Sequence, residues 1–371
     1  MRRLMLLWMM LLALPALADM VQLVEPGQTA IVLQRGGTRG LVRECRALAL
    51  PAGPSLVSYS WQAPGFDAAS ATLSLDQGAV GEATRPAGQD NTLVWQVTMP
   101  QAGTAQAVIT YFLDGLKWRP SYVLSLQPDG KAALEGILQL TNETGMELRD
   151  VRVQIGAPGS VLADRPEATE KPVADGAPVF AVAPGQTAVR RFALLQDIPA
   201  TLRTLYQADR YGGNVEQILR LGFEQIGVAA VDLPDGPMVI QDAADPQTPI
   251  FKTQFTYQPG QDFEVDMGPE PEIVVERKLL SSHRNNLDLD RFGRVAGLDT
   301  VEDYALTAHN HLGRPVTLEI VETVLSTWDL KGPTPTRKEI SWVQFDLPVT
   351  AQGAGELKFT LIKHSGTRVK K

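Results

Sequence analysis

The stretch whose reading decides the fold is 107-AVITYFLDGLKWRPSYVLSL-126. Two apolar runs flank Asp114-Gly115, a pair suited to the positive backbone dihedrals of a tight hairpin turn. In the second run Trp118, Pro120, Tyr122, Leu124 and Leu126 fall on one face at period two. Arg119, Ser121 and Ser125 take the other. This is the pattern of a half-buried strand that carries large rings toward a core. Pro120 cannot donate to a ladder, so it marks an edge or a bulge. The reading is a β-hairpin with further strands stacked around it.

The same texture continues on both sides. Upstream, Ala30–Leu33, Leu48–Pro54, Leu56–Trp61, Ala71–Leu75 and Leu93–Met99 are short strand-like runs, while Asp67 to Gln89 reads as Ala/Gly-rich turns. Gly36-Gly37 reads as a tight turn. Downstream, Leu134–Ile155, Val179–Val182, Ala188–Leu195 and Val228–Val231 resume the pattern. So do Met238–Ile240, Phe251–Tyr257, Phe263–Met267 and Ile273–Val275, with turns at Pro234-Asp235-Gly236 and Pro259-Gly260. The last runs are Tyr304–Ala308, Val316–Val324, Ile340–Leu347 and Leu357–Ile362. Helix competes only over Thr201–Glu224, where Leu202, Leu205 and Tyr206 have helical spacing before Gly212-Gly213 stops the run. Ala157 to Pro178, rich in Pro, Ala, Asp and Glu, reads as a long loop.

The fold class expected is all-β: tandem antiparallel β-sandwich modules with at most one or two short helices. Five segments are expected. These are a signal peptide over 1–18, a small β domain over 19–105 and a β-sandwich module with the hairpin over 106–200. A β-rich middle segment over 201–270 and a C-terminal β-sandwich module over 271–371 complete the chain.

A chain of 371 residues with 44% hydrophobic and 20% charged residues has an ordinary globular composition. Its net charge of −8 argues against a nucleic-acid partner, for want of a basic field, and against adsorption on anionic lipid. At the N-terminus Arg2 and Arg3 precede an apolar run from Leu4 to Leu14, and Ala16-Leu17-Ala18 follows. That is the arrangement of a secretory signal peptide, with cleavage expected after Ala18 and Asp19 at the mature end. Export to the periplasm or beyond follows, with no integral membrane segment after cleavage. Cys45 is the single cysteine, so no intramolecular disulfide forms, and a buried, inert thiol is expected.

An internal echo points to a duplicated unit. Leu138-Gln-Leu140-Thr-Asn142-Glu-Thr-Gly145 precedes alternating Val151, Val153 and Ile155. Leu306-Thr-Ala308-His-Asn310-His-Leu-Gly313 precedes Val316, Leu318 and Ile320 in the same way. In both, a strand meets Asn-x-x-Gly, whose Asn and Gly supply turn geometry.

At these residues the chain resembles the mucoidy inhibitor A-like proteins, bacterial envelope proteins that share a domain of unknown function. The carrying residues are Tyr111, Trp118-Arg119-Pro120-Ser121-Tyr122, Asn142-Glu143-Thr144-Gly145 with Leu148 and Val151, and Leu233-Pro234-Asp235-Gly236-Pro237. Gly268, Val274-Val275-Glu276-Arg277, and Asn310 with Pro315-Val316 complete the set. The resemblance covers Gln106 to Lys363 and implies a β-rich secreted protein without an assigned activity or cofactor. Longer members carry a coiled coil, whereas no heptad run lies between Val21 and Gln106 here.

No catalytic, cofactor-binding or metal-binding residues are assigned. His309 and His311 are two apart beside a turn, and reading them as exposed histidines outweighs a metal pair; His283 and His364 have no carboxylate at ligand spacing. Asn286-Leu-Asp288-Leu-Asp290 opens like a calcium loop, but Arg291 and Gly297 stand where that loop needs Gly and Glu. Asp262, Glu264 and Asp266 read as the wet face of a strand. Arg119 reads as a surface residue flanking a core Trp. Asn142-Glu143-Thr144 is formally a glycosylation triplet but reads as a turn. No nucleophile motif or phosphate cradle is present. The expected role is a non-catalytic exported envelope protein that binds an envelope protein or a surface polysaccharide. The alternative is an envelope-polymer hydrolase with paired carboxylates.

Overall fold

The computed structural model describes residues 19–23, 25–156, 177–224, 233–258 and 261–369. The expected signal peptide, most of the 157–178 loop, Val228–Val231 and the Pro259-Gly260 turn lie outside them. The described chain is almost entirely β-strand with one four-residue helix, as the period-two runs require.

It divides into two compact units. One draws its described residues from Met1–Tyr122, Glu135–Leu194 and Asp232–Gly236; the other from Val123–Leu134, Leu195–Val231 and Pro237–Lys371. The first eight strands are β1 (Asp19–Gln22), β2 (Gln28–Leu33), β3 (Arg39–Leu50), β4 (Gly53–Ser60), β5 (Phe66–Leu75), β6 (Ala79–Thr84), β7 (Thr92–Met99) and β8 (Gly103–Asp114). Then come β9 (Leu116–Leu126), β10 (Lys131–Asn142), β11 (Leu148–Ile155), β12 (Val179–Val182) and β13 (Thr187–Tyr206). Helix α1 (Ala208–Tyr211) precedes β14 (Val215–Leu221), β15 (Gly236–Asp242), β16 (Pro249–Phe255) and β17 (Phe263–Pro269). The remainder are β18 (Ile273–Leu289), β19 (Val295–Asn310), β20 (Val316–Thr323), β21 (Thr327–Lys331), β22 (Arg337–Lys338), β23 (Trp342–Val349) and β24 (Gly353–Gly366).

In the first unit a four-stranded sheet, β1-β4-β7-β6, and a six-stranded sheet, β12-β11-β2-β3-β8-β5, share one core. Val57, Tyr59, Trp95 and Val97 come from the first sheet; Ile31, Leu48, Ile109, Tyr111 and Val153 come from the second. Most pairs are antiparallel; β1 with β4 and β2 with β11 are parallel. This core also holds charge. Glu44 and Arg46 point inward from β3, 3% and 7% exposed, and form an ion pair. Tyr111 Oη donates to Glu44 Oε1 at 2.9 Å, and the Arg46 guanidinium lies 5.3 Å from the Tyr59 ring centre. Burial and the Glu44 charge push the Tyr59 hydroxyl up to about 12.

The same strand corrects the reading of Cys45, which is half-buried and not buried. Inward parity belongs to Glu44, Arg46, Leu48 and Leu50, so the thiol falls on the other face. A second correction concerns Asp67–Gln89, of which β5 and β6 take most. The exposed β6 has no apolar alternation, which is why it reads as turn.

The central hairpin is also corrected. β8 pairs with β3 and β5, and β9 joins β10 and β15, so the strands around Asp114-Gly115 belong to different sheets. Gly115 has φ +95°, and its N–H and that of Leu116 both donate to the Thr38 carbonyl, at 3.0 and 2.8 Å. A Cβ there would sit 2.9 Å from the Glu143 carbonyl. Glycine therefore serves a corner at which the chain changes sheets, a use of positive φ that sequence does not separate from a hairpin turn.

In the second unit a four-stranded sheet, β18-β19-β24-β21, packs on β13, β14, β20 and β23. Tyr304, Leu306, Phe359 and Leu361 meet Tyr206, Leu318, Ile320 and Phe345 in its core. These latter strands belong to the largest sheet, ordered β16-β15-β9-β10-β13-β20-β23-β22, with β14 on β13 and β17 on β14.

The echo is a structural repeat. Asn142 Nδ2 donates to the carbonyls of Met146 (2.8 Å) and Val182 (2.9 Å), and its Oδ1 accepts from Thr144 N–H (3.1 Å). Asn310 Nδ2 donates to Arg314 and Thr350 (both 2.9 Å), and its Oδ1 accepts from Leu312 N–H (3.0 Å). The strands that follow pair alike, β11 with β12 and β20 with β23.

Candidate functional site

Strand parity divides the β13–β14–β20–β23 layer of the second unit into two faces. Tyr206, Val215, Leu318, Ile320, Val343 and Phe345 go to the core. Thr201 and Arg203 of β13, Arg220 of β14, Glu319 of β20 and Gln344 of β23 go to the other face. With Arg337 of β22 they line a depression of about 280 Å³.

Most of its charges are already matched. Arg203 gives Nε to Glu319 at 2.9 Å and Nη1 to Glu264 at 2.9 Å, and its Nη2 also meets Glu319. These bonds to Glu319 hold the Arg203 guanidinium above its ordinary pKa. Gln344 Nε2 bridges Glu319 (3.3 Å) and Asp346 (2.8 Å). Arg220 engages Asp262 through Nε (3.0 Å) and Nη2 (2.8 Å), and its Nη1 carries no bond among the described residues. Arg337 is exposed and has no carboxylate partner among the described residues. The unspent donors are therefore Arg337, Arg220 Nη1 and the Thr201 hydroxyl. Chemically this is a shallow seat for a carboxylate or sulfate flanked by hydroxyls.

Farther along the same face, Glu216 of β14 is 6% exposed; its register partner on β17 is Pro269, and Asp266, opposite Ile218, is near enough for its charge to act on Glu216. Burial first, and then the Asp266 charge, pushes the Glu216 carboxyl above the usual carboxylate range.

The wet face of Asp262, Glu264 and Asp266 is thus the rim of this site, with two of the three acids holding its arginines. The remaining polar residues came from separate strands and left no contiguous signal. His309 is half-buried on β19 and His311 is exposed just beyond it; among the described residues no metal-holding group of His, Cys, Asp and Glu occurs. His364, by contrast, has two carboxylates at hand. Its Nδ1 lies 2.8 Å from Asp299 and its Nε2 3.2 Å from Asp329, contacts made by strand pairing and invisible to sequence spacing. Asn286 donates to Asp299 (2.7 Å), Asp288 accepts from Thr367 (2.9 Å) and Asp290 caps a loop, so this run is structural.

The residues that carry the family resemblance in the first unit come together as packing. Trp118 is half-buried and donates Nε1 to the Gln34 carbonyl at 3.0 Å. Tyr122 is buried and donates its hydroxyl to the Pro234 carbonyl at 2.6 Å. A Cβ on Gly236 would meet the Pro120 carbonyl oxygen at 2.8 Å. Asn142 is fully buried, which removes it as a glycosylation acceptor. Arg119 is exposed.

No protein-family model matches the chain, and no curated protein matches it. Among the described residues no helix is long and apolar enough to cross a membrane.

Proposed function

We propose that this is an exported, non-catalytic envelope protein that binds an anionic surface polymer on the arginine-lined face of its second unit. The observation that carries the reading is Arg337, a cation with no carboxylate partner among the described residues. It stands beside Arg220 and Thr201 in a depression whose other charges pair with one another. Mutually neutralised charges keep the site from acting as a general polyanion binder and leave room for one acidic group at a time. Export rests on the basic, then apolar, then small-residue pattern of the first eighteen residues. The resemblance to mucoidy inhibitor A-like envelope proteins agrees with that compartment. Retention on immobilised polygalacturonate, release by salt and passage through neutral dextran are expected. Passage through both matrices would refute the reading.

A second reading, an envelope-polymer hydrolase, draws on Glu216 and Asp266. Burial raises the Glu216 carboxyl above the usual carboxylate range with a second carboxylate near it, and glycoside hydrolysis works with two carboxyls in unlike environments. Release of reducing ends from an acidic polysaccharide, lost in Glu216→Gln, would favour it over simple binding.

A further inference from the structure

Strands β18 and β19, at one edge of the four-stranded sheet, are joined at a tip that runs just beyond β24 and carries the densest run of exposed large apolar residues among the described residues. Leu287, Leu289, Phe292 and Val295 lie within nine residues and are 54, 62, 66 and 52% exposed. Leu289 and Val295 are register partners, so they stand side by side on one face, and Phe292 sits at the apex. A patch of this kind on a well-ordered element marks a contact surface.

The apex is built, not loose. Asp290 Oδ1 accepts the N–H groups of Phe292 (2.8 Å) and Arg294 (2.9 Å), and Oδ2 takes Arg294 Nε at 3.1 Å. Gly293 closes the turn at φ +74°. The guanidinium groups of Arg291 and Arg294 lie 4.7 and 5.1 Å from the centre of the Phe292 ring.

Charge there differs from that of the whole chain. The two acids of the tip are occupied: Asp290 by Arg294, and Asp288 by Thr367 and by Arg368 at 3.6 Å. Arg284 and Arg291 have no carboxylate partner among the described residues. A convex apolar apex with uncompensated arginines fits a surface that is anionic outside and apolar just beneath. A second copy fits poorly. Two such tips would bring like charges together, and bulges at Leu279/Ser281 and Asn285/Asp288 interrupt the open edge of β18.

We infer that the β18–β19 tip docks on an anionic phospholipid surface, with Phe292 and the flanking leucines entering the headgroup boundary and Arg284 and Arg291 meeting phosphates. Reversing one such arginine removes an attraction of about 1 kcal/mol and adds a repulsion of similar size, so it lowers partitioning by about tenfold or more. The net charge of −8 hides this because it sums over the whole chain.

The test is co-sedimentation with sucrose-loaded vesicles of mixed phosphatidylglycerol and phosphatidylcholine, set against vesicles of phosphatidylcholine alone. The protein is expected to pellet with the mixed vesicles and not with the neutral ones. Phe292→Asp and Arg291→Glu should each lower pelleting about tenfold with unchanged melting temperature. Leu325→Asp, at a 95% exposed leucine elsewhere on the same unit, should pellet like the parent. Three results overturn the inference: equal or absent pelleting with both vesicle types, tip variants that pellet like the parent, or a tip variant that shifts the elution volume of the protein alone. The last would mark the tip as a contact between copies.

Discussion

Asn142 and Asn310 are the same residue of one corner made twice. Each amide donates to a carbonyl four residues on and to another forty residues on, and each amide oxygen holds the N–H two residues on. Each lies in a different compact unit and is at most 1% exposed. The corner ties the end of one strand to the turn that opens another, a connection that apolar packing alone does not specify.

Replacing either asparagine removes a buried amide that bridges two backbone carbonyls and holds one N–H. Asn142→Ala and Asn310→Ala should each cost about 2–4 kcal/mol, read from urea unfolding. A loss below about 0.5 kcal/mol at either position would show that the corner is held by packing instead.

Gly115→Ala tests the corner between β8 and β9. With φ at +95° and the Glu143 carbonyl 2.9 Å from the new Cβ, the variant should lose about 2–4 kcal/mol. An ordinary hairpin glycine would lose less, because its turn points into solvent.

How much of this was legible follows from which residues alternate. Apolar alternation placed the strands that bury one face, and the repeat of Asn-x-x-Gly gave the duplicated corner. Residues Lys278 to Leu289 belong to an edge strand that is exposed almost throughout, so no alternation betrays it. Glu44 and Arg46 hide in Arg-Glu-Cys-Arg, which reads as a wet face until their parity with Leu48 is known. The arginine-lined site draws on five strands between Thr201 and Gln344, and each residue alone resembles any solvent-facing polar side chain.

Acid stability should depend on Asp299. Arg368, with Asn286 and His364, holds this buried carboxyl well below the ordinary aspartate value of 3.8. A depressed folded value stabilises the native state at neutral pH, and that stability is lost as pH falls below about 4. Asp299→Asn should therefore unfold at lower urea than the parent at pH 7, and the gap should narrow steadily through acid. A gap that stays constant with pH would contradict the assignment.

Glu216 should behave in the opposite sense. Its raised carboxyl means that ionisation costs stability at neutral pH and that protonation relieves it as pH falls. Glu216→Gln should raise the melting temperature at pH 7, with the advantage gone once pH lies below the ordinary glutamate value of 4.5. A variant that melts lower at neutral pH would instead mean that the charge is stabilising there.

The most direct test of the binding account is calorimetric titration of the full chain with oligogalacturonate, comparing the parent with Arg337→Glu. Arg337 makes no ion pair among the described residues, so its reversal should leave the melting temperature unchanged. The account predicts salt-sensitive binding by the parent, weakened about tenfold or more in Arg337→Glu. Indistinguishable isotherms for the two proteins, or no binding heat with either, would contradict it.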